Sequence, residues 1–471
     1  MQRNQAGEER SEEQAPEQTG GLSRRGLLTG AAAAAGALGL PLLRARGAAG
    51  AEPDAGGIGG SLRQESGGEV SGLWHPSFKR VRDEFVRNFA ERGEVGASVC
   101  VMLGGAPVVD LWGGTVDPAT GAPWQRDTLV HVWSCTKGAT SLCAHLLASR
   151  GLLDLDAPVV QYWPEFGQQG KQGTTVEMLM SHQAGLPAIR QPLPQGALYD
   201  WEFMTETLAA EEPFWQPGTR HGYHALTFGF LVGELVRRIS GRPLDVFFRE
   251  EIAEPLGLDF WLTLPESEDA RVAPSIPADP PAPPFPSWLI LALTDPTSIP
   301  ALIFFNNGGY LVPGVADTRE AREAVIGATG GITNARGLCR LYSELARPRL
   351  PWRPSLVEPA SLVRMSRAIS AGFDQFGQIP SRFAAGYIKS MDNRRGTPGN
   401  QDSGILSEDA FGHSGFGGSI GFADPRAGLS FGYAMSRQGP GTLLNPRGQN
   451  LVDATYRSLG YSEEGGSFVR R

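Results

Sequence analysis

The apolar residues of the chain recur with two different periods. Between Pro76 and Arg92, Phe78, Val81, Phe85 and Phe89 fall three or four apart, which predicts a helix with one buried face. Ala97–Met102 and Pro107–Trp112 are short apolar runs split by Gly104-Gly105, which predicts a β-hairpin. The residues after Lys137 are small and apolar and predict a buried helix that runs to about Arg150. Thr175–Met180 reads as a short helix closed by Ser181-His-Gln-Ala-Gly-Leu-Pro187, where His182 reads as a structural hydrogen-bonder. Phe230, Leu231, Leu235 and Val236 share a face of a further helix, with Gly241 as its cap, and Asp245–Ile252 continues helical. Gly330-Gly-Ile-Thr-Asn334 opens a helix over Ala335–Ala346. Beyond it the pattern turns to strands: Phe411–Phe422, a turn at Asp424–Gly428, then Leu429–Met435.

Other stretches break the pattern. Residues 1–22 are polar and rich in Glu and Gln and read as disordered. Ser23-Arg24-Arg25 then leads into an Ala, Gly and Leu run to Leu43, and Ala49-Gly-Ala51 fits a cleavage site. This is the layout of a twin-arginine export signal, so residues 1–51 are expected to be removed and the mature chain to work in the periplasm, cell envelope or outside. A buried helix or a retained anchor is the other reading of the run. Residues 52–75 are expected to form a flexible lead-in. Residues 264–300 are crowded with proline around Ile276–Pro286 and apolar at Trp288–Leu293, and read as an insertion or lid beside a cleft.

At 471 residues and 41% hydrophobic, the chain is long enough to bury a sizeable core. A net charge of −8 without a basic run in the body argues against nucleic acid as a partner. Contact with a membrane is expected only in passing, during export, and the oligomeric state stays open. The four cysteines, Cys100, Cys135, Cys143 and Cys339, have no C-x-x-C spacing, and no metal-ligand cluster is visible among the seven histidines. No metal or organic cofactor is expected.

The candidate chemistry starts at Ser134-Cys-Thr-Lys137. Residues three apart share a helix face, so an amine is placed beside a hydroxyl. An uncharged lysine can take the serine proton, but a free lysine of pKa ~10.4 must first be desolvated or placed near positive charge. At the start of a helix, Ser134 would also meet the positive dipole end.

These residues resemble the serine β-lactamase and penicillin-binding-protein superfamily, in particular its class C β-lactamase-like esterases, the family VIII carboxylesterases. The carriers are Ser134–Lys137, the Ser181–Pro187 loop, Gln216-Pro-Gly-Thr219 followed by Tyr223, the run Pro255–Asp259, Gly330-Gly-Ile-Thr333 and His413-Ser-Gly415, in that order. The resemblance implies an α+β fold of the β-lactamase/transpeptidase-like kind for residues 76–471: an antiparallel sheet flanked by helices, with a mostly helical lobe inserted. It implies Ser134 as the acylated nucleophile, Lys137 as its activating partner and Tyr223 as the proton shuttle. His413, Ser414 and Gly415 would line the substrate, a small-molecule ester or amide. The backbone amides of Ser134 and Phe416 are the candidates for an oxyanion hole.

Two departures shape the expected substrate. Ala225 stands where many β-lactamases carry an amide side chain, and His413 where they carry lysine. A histidine of pKa ~6.5 is mostly neutral near pH 7 and grips a carboxylate poorly. Both changes favour a neutral short-chain ester, with at most slow β-lactam hydrolysis. A D-amino-acid peptidase or true β-lactamase, and a catalytically silent penicillin-recognising sensor, are the alternatives on the same fold. Gly417-Gly-Ser419-Ile-Gly421 matches the G-x-S-x-G elbow, but that motif needs a helix after the serine and the sequence here continues as strand.

Overall fold

The computed structural model describes residues 61–65, 69–347 and 355–470. The expected export signal lies outside the described residues. Both ends of the described chain build one antiparallel sheet. Its strands are β1 (Arg63–Glu65), β2 (Val70–Trp74), β3 (Gly96–Leu103), β4 (Ala106–Asp117), β5 (Phe411–Ser414), β6 (Ile420–Asp424) and β7 (Leu429–Met435). They lie in the order β1-β2-β4-β3-β7-β6-β5, and the two-residue strand Ala122–Pro123 pairs with β4. Ala97–Leu103 of β3 pairs with Leu429–Met435 of β7, so the early hairpin and the late strands meet at the sheet centre.

The described part of the 52–75 stretch corrects the expectation of a flexible lead-in. Arg63–Glu65 and Val70–Trp74 are strands at the sheet edge, and β2 buries Val70 and Trp74 on one face while pairing with β4. Buried and half-buried positions alternate from Val70 to Trp74, as in a strand with one face to the core.

Each face of the sheet is covered by helix. On one side lie α1 (Lys79–Glu91) and, from the other end of the chain, the helix Pro446–Ser458. They share a core of Val81, Phe85, Leu451, Val452 and Tyr456 with Val99, Val101, Phe422 and Phe431 of the sheet. The helix Ala335–Ala346 packs on the opposite face, capped by Asn334, whose side chain accepts from the Gly337 amide. It lies very close: a Cβ on Gly432 of β7 would fall 2.1 Å from the Ala335 carbonyl oxygen. Only glycine allows that approach.

Between these terminal parts the chain forms a mostly helical lobe. Its centre is α2 (Thr136–Ser149), buried along nearly its whole length, against α3 (Thr227–Ser240), which Gly241 closes at φ 70° as a left-handed cap. Four short strands, Leu129–His131, Phe260–Trp261, Val272–Ala273 and Ile332–Thr333, tie the lobe together. Because Val272–Ala273 runs parallel to Leu129–Val130, the first part of the 264–300 stretch belongs to this small sheet. The chain then leaves the sheet as an arm of two helices, α4 (Ser287–Thr294) and α5 (Ile299–Phe305), bent against each other by 78°. Among the described residues no single helix is long and apolar enough to cross a membrane.

Candidate active site

Ser134 occupies a single 3-10 turn, Trp133–Cys135, that runs into α2. The residue before it, Trp133, has φ 49°. A bulky residue in that region is strained, and the surroundings must hold it there. The Trp133 ring sits 4.3 Å from the His131 ring and 5.8 Å from that of Phe416. Its carbonyl accepts from Thr136 Oγ1 at 2.5 Å, and Thr136 Oγ1 in turn accepts from the Gly331 amide at 2.8 Å. The Val132 amide donates to the Gly331 carbonyl at 2.9 Å. The Gly330-Gly-Ile-Thr segment therefore braces the Ser134 turn from the side.

Lys137, one turn along, is fully buried. Its Nζ lies 3.1 Å from Ser134 Oγ, 2.7 Å from the Ala225 carbonyl oxygen and 3.0 Å from the Ala328 carbonyl oxygen. Desolvation holds its pKa well below the ordinary lysine value. The neutral amine fits the geometry: two N–H bonds go to the two carbonyls, and the lone pair faces the serine hydroxyl.

Tyr223 lies across the cleft, with Lys137 Nζ 4.7 Å from its ring centre. Burial raises the phenol above its usual pKa, and a weaker interaction with Ser134 pulls the other way. It is thus a protonated hydroxyl and not a tyrosinate. Its loop is held from two sides. The Gly222 amide donates to the His182 carbonyl and the His224 amide to His182 Nδ1, both at 3.1 Å, with His182 at φ 62°. His182 is therefore a buried scaffold residue, in keeping with its loop position. From the other side, Asp374 Oδ1 accepts from the Tyr223 amide at 3.1 Å and from the amides of Phe376 and Gly377, while Oδ2 accepts from Ser381 Oγ. The sequence pattern gives no sign of Asp374. It sits in a Gly-Phe-Asp-Gln-Phe loop with no periodicity, and only its position beside Tyr223 in space singles it out.

His413 and Ser414 end the edge strand β5, and all of His413–Gly415 is buried. The Ser134 turn is tied to this strand by Cys135 Sγ, which donates to the His413 carbonyl at 3.2 Å. A Cβ on Gly415 would fall 2.3 Å from the Val132 carbonyl oxygen, so glycine permits the strand end to touch the Ser134 turn. His413 Nδ1 donates to the Ser414 carbonyl at 2.8 Å. That leaves Nε2 as an unprotonated acceptor, buried and without a partner among the described residues. Burial, with Lys137 nearby, pushes the His413 pKa down to about 3. Phe416 stands at the mouth, and its amide takes no backbone carbonyl among the described residues.

Ser134, Tyr223, His413, Ser414 and Phe416 all line one cleft of about 390 Å³. Ser419 does not. Its hydroxyl is buried against Met435 Sδ at 3.5 Å, and the strand β6 starts directly after it, so the elbow geometry is absent. All four cysteines are buried and free. No cluster of three or more His, Cys, Asp or Glu among the described residues is arranged to hold a metal ion.

Residues 82–455 match the family model named Beta-lactamase. The esterase/beta-lactamase LipL of Mycobacterium tuberculosis is 36% identical over 401 residues, covering 81% of this chain and 85% of that protein. A family VIII carboxylesterase of known structure superposes with a TM-score of 0.73 at 36% identity, covering 83% of this chain and 100% of the other. A penicillin-binding-protein homologue from Caulobacter crescentus gives the same TM-score, identity and coverage. With the expected sheet, helical lobe and ordered motifs in place, the chain belongs to the Beta-lactamase family and is a serine hydrolase of its esterase/β-lactamase type.

Proposed function

We propose that the protein hydrolyses short-chain carboxylic esters through an acyl-enzyme on Ser134, outside the cytoplasm, after export by the twin-arginine route. The observation that carries this reading is the setting of Lys137: a desolvated amine bound to two carbonyl oxygens and to Ser134 Oγ. Lys137 takes the hydroxyl proton as Oγ attacks the ester carbonyl carbon. The amides of Ser134 and Phe416 receive the oxyanion. The proton passes from Lys137 through the Tyr223 hydroxyl to the departing alkoxide, which leaves as alcohol. Water then attacks the acyl carbon, its proton travels the same route in reverse, and Ser134 is released with its hydroxyl restored.

A neutral substrate is favoured by what lines the cleft. Burial keeps His413 uncharged near neutral pH, with its pKa pushed down to about 3. Among the described residues no lysine or arginine lines the cleft wall, while Asp279, Asp317 and Asp374 do. A substrate carboxylate would meet no cation on that wall. Ala225 contributes its carbonyl to Lys137, and its methyl offers nothing to a substrate amide. The relative named esterase/beta-lactamase keeps β-lactam hydrolysis as the second reading.

The test is a comparison of kcat/KM for p-nitrophenyl butyrate, a chromogenic cephalosporin and a D-alanyl peptide. The ester is expected to be the best of the three; an ester slower than both others contradicts the proposal. Export is tested by fusing residues 1–51 to a reporter. Transport is expected with Arg24-Arg25 intact and should be lost on changing both to lysine.

A further inference from the structure

The cleft is far larger than a butyryl group needs, and most of its lining is apolar. Beyond Ser134 one wall comes from the arm: Ile303 and Phe304 of α5, with Leu311 and Val312 after it. The apolar lining continues through Phe376, Ile379, Phe383, Ile388, Met391 and Leu443. A ladder of rings joins the arm to the catalytic tyrosine. Trp288 of α4 stacks on Phe304 at 4.8 Å, Phe304 packs on Phe376 at 5.9 Å, and Phe376 on Tyr223 at 6.0 Å. The arm is thus part of the cleft wall, and its ring Phe304 is only half-buried and borders the open volume.

Resting on the ester-hydrolase reading, we propose that this volume is a chamber for an uncharged apolar group of about eight carbons on the ester, and that Phe304 of the arm sets its selectivity. The short-chain esters proposed above are then the lower end of a substrate class that extends to medium-chain aliphatic and aryl esters. The cleft volume of about 390 Å³ lies within the range of sites that enclose small organic ligands. Each further methylene moved from water into such a wall gains up to about fourfold in kcat/KM. An anionic group of the same length gains nothing, because no cation among the described residues lines the chamber.

The group can enter on the acyl or on the alcohol side, and two substrate series separate these. One runs from p-nitrophenyl acetate through butyrate to octanoate; the other compares butyl with octyl acetate. In at least one series kcat/KM is expected to rise about tenfold or more between four and eight carbons. Phe304→Ala is expected to cut that ratio at least about threefold, and Phe304→Asp to abolish it, with unfolding midpoints recorded for both variants. Ratios near one in both series, or ratios unchanged in both variants despite native-like unfolding, overturn the chamber. Binding of butaneboronic and octaneboronic acid, measured by calorimetry, needs no turnover. Preference for the longer boronic acid without cleavage of any ester would support the chamber and overturn the ester reading. Cleavage of butyrate with flat series and equal boronic acid affinities would overturn the chamber alone.

Discussion

Lys137 Nζ lies 3.1 Å from Ser134 Oγ, and the rest of its hydrogen-bonding capacity is taken by two main-chain carbonyls. An amine with two N–H bonds so placed keeps one lone pair for the serine proton. An arginine cannot take that role, because the guanidinium does not give up its proton. Lys137→Arg is therefore expected to lose about 10²–10⁴-fold in kcat, the usual contribution of a positioned base, although the positive charge is kept. Steady-state kinetics checks it; activity close to that of the wild type would mean that charge, and not proton transfer, is what Lys137 supplies.

Tyr223 keeps its proton, since burial holds the phenol above its ordinary pKa. Its expected task is to pass a proton to the leaving alkoxide. A p-nitrophenolate leaves readily without a proton, while an alkoxide does not. Tyr223→Phe should therefore harm an alkyl ester at least about tenfold more than the matching p-nitrophenyl ester. Equal losses on both would place Tyr223 outside the leaving-group step.

Gly415 touches the Ser134 turn so closely that a Cβ would meet the Val132 carbonyl. Gly415→Ala must push the end of β5 away, and the Phe416 amide with it. A displacement of ~1 Å in a catalytic group costs on the order of 100-fold, so kcat should fall by roughly 10- to 100-fold, and the unfolding midpoint should fall with it because the clash is with backbone. Undiminished kcat would show that the strand end yields without moving the amide.

Burial pushes the pKa values of His131 and His145 down to about 4, and those of His224 and His413 down to about 3. In the unfolded chain a histidine titrates near ~6.5. Between those values the unfolded chain binds protons that the folded chain refuses. Stability therefore falls as pH drops below ~6.5 and is untouched by these groups above it. Each contributes up to roughly 1.4 kcal/mol per pH unit in that window. Urea midpoints near pH ~7 and pH ~5 should show a marked loss at the lower value. His145→Gln, which keeps a donor for the Ala385 carbonyl that His145 Nε2 reaches at 2.9 Å, should make the loss smaller. Equal midpoints at the two pH values would contradict this.

The parts of the fold with one-sided patterns were legible in the chain. Asn334 before an amphipathic run marks the helix Ala335–Ala346 to the residue, and Gly241 marks the end of α3. The Ser-x-x-Lys pair comes together as helical spacing requires. The features that stayed hidden depend on partners distant in sequence. Val70–Trp74 is too short, and too close to Gly- and Ser-rich residues, to announce a strand until β4 is there to pair with it. Helix α4 of the arm is apolar on nearly every side, so no face could be assigned from its pattern. Asp374 has no local signature, because the Tyr223 amide that it holds lies 151 residues away in the chain. The strain at Trp133 is set by the rings of His131 and Phe416 around it and has no counterpart in composition.

The most direct test is hydrolysis of p-nitrophenyl butyrate by the protein beside its Ser134→Ala variant, with intact mass and peptide masses recorded after mixing with ester. The wild type is expected to turn over and to carry a transient butyryl adduct on the peptide that holds Ser134, while the variant does neither. Equal turnover by both proteins, or an adduct on any other residue, would contradict Ser134 as the nucleophile.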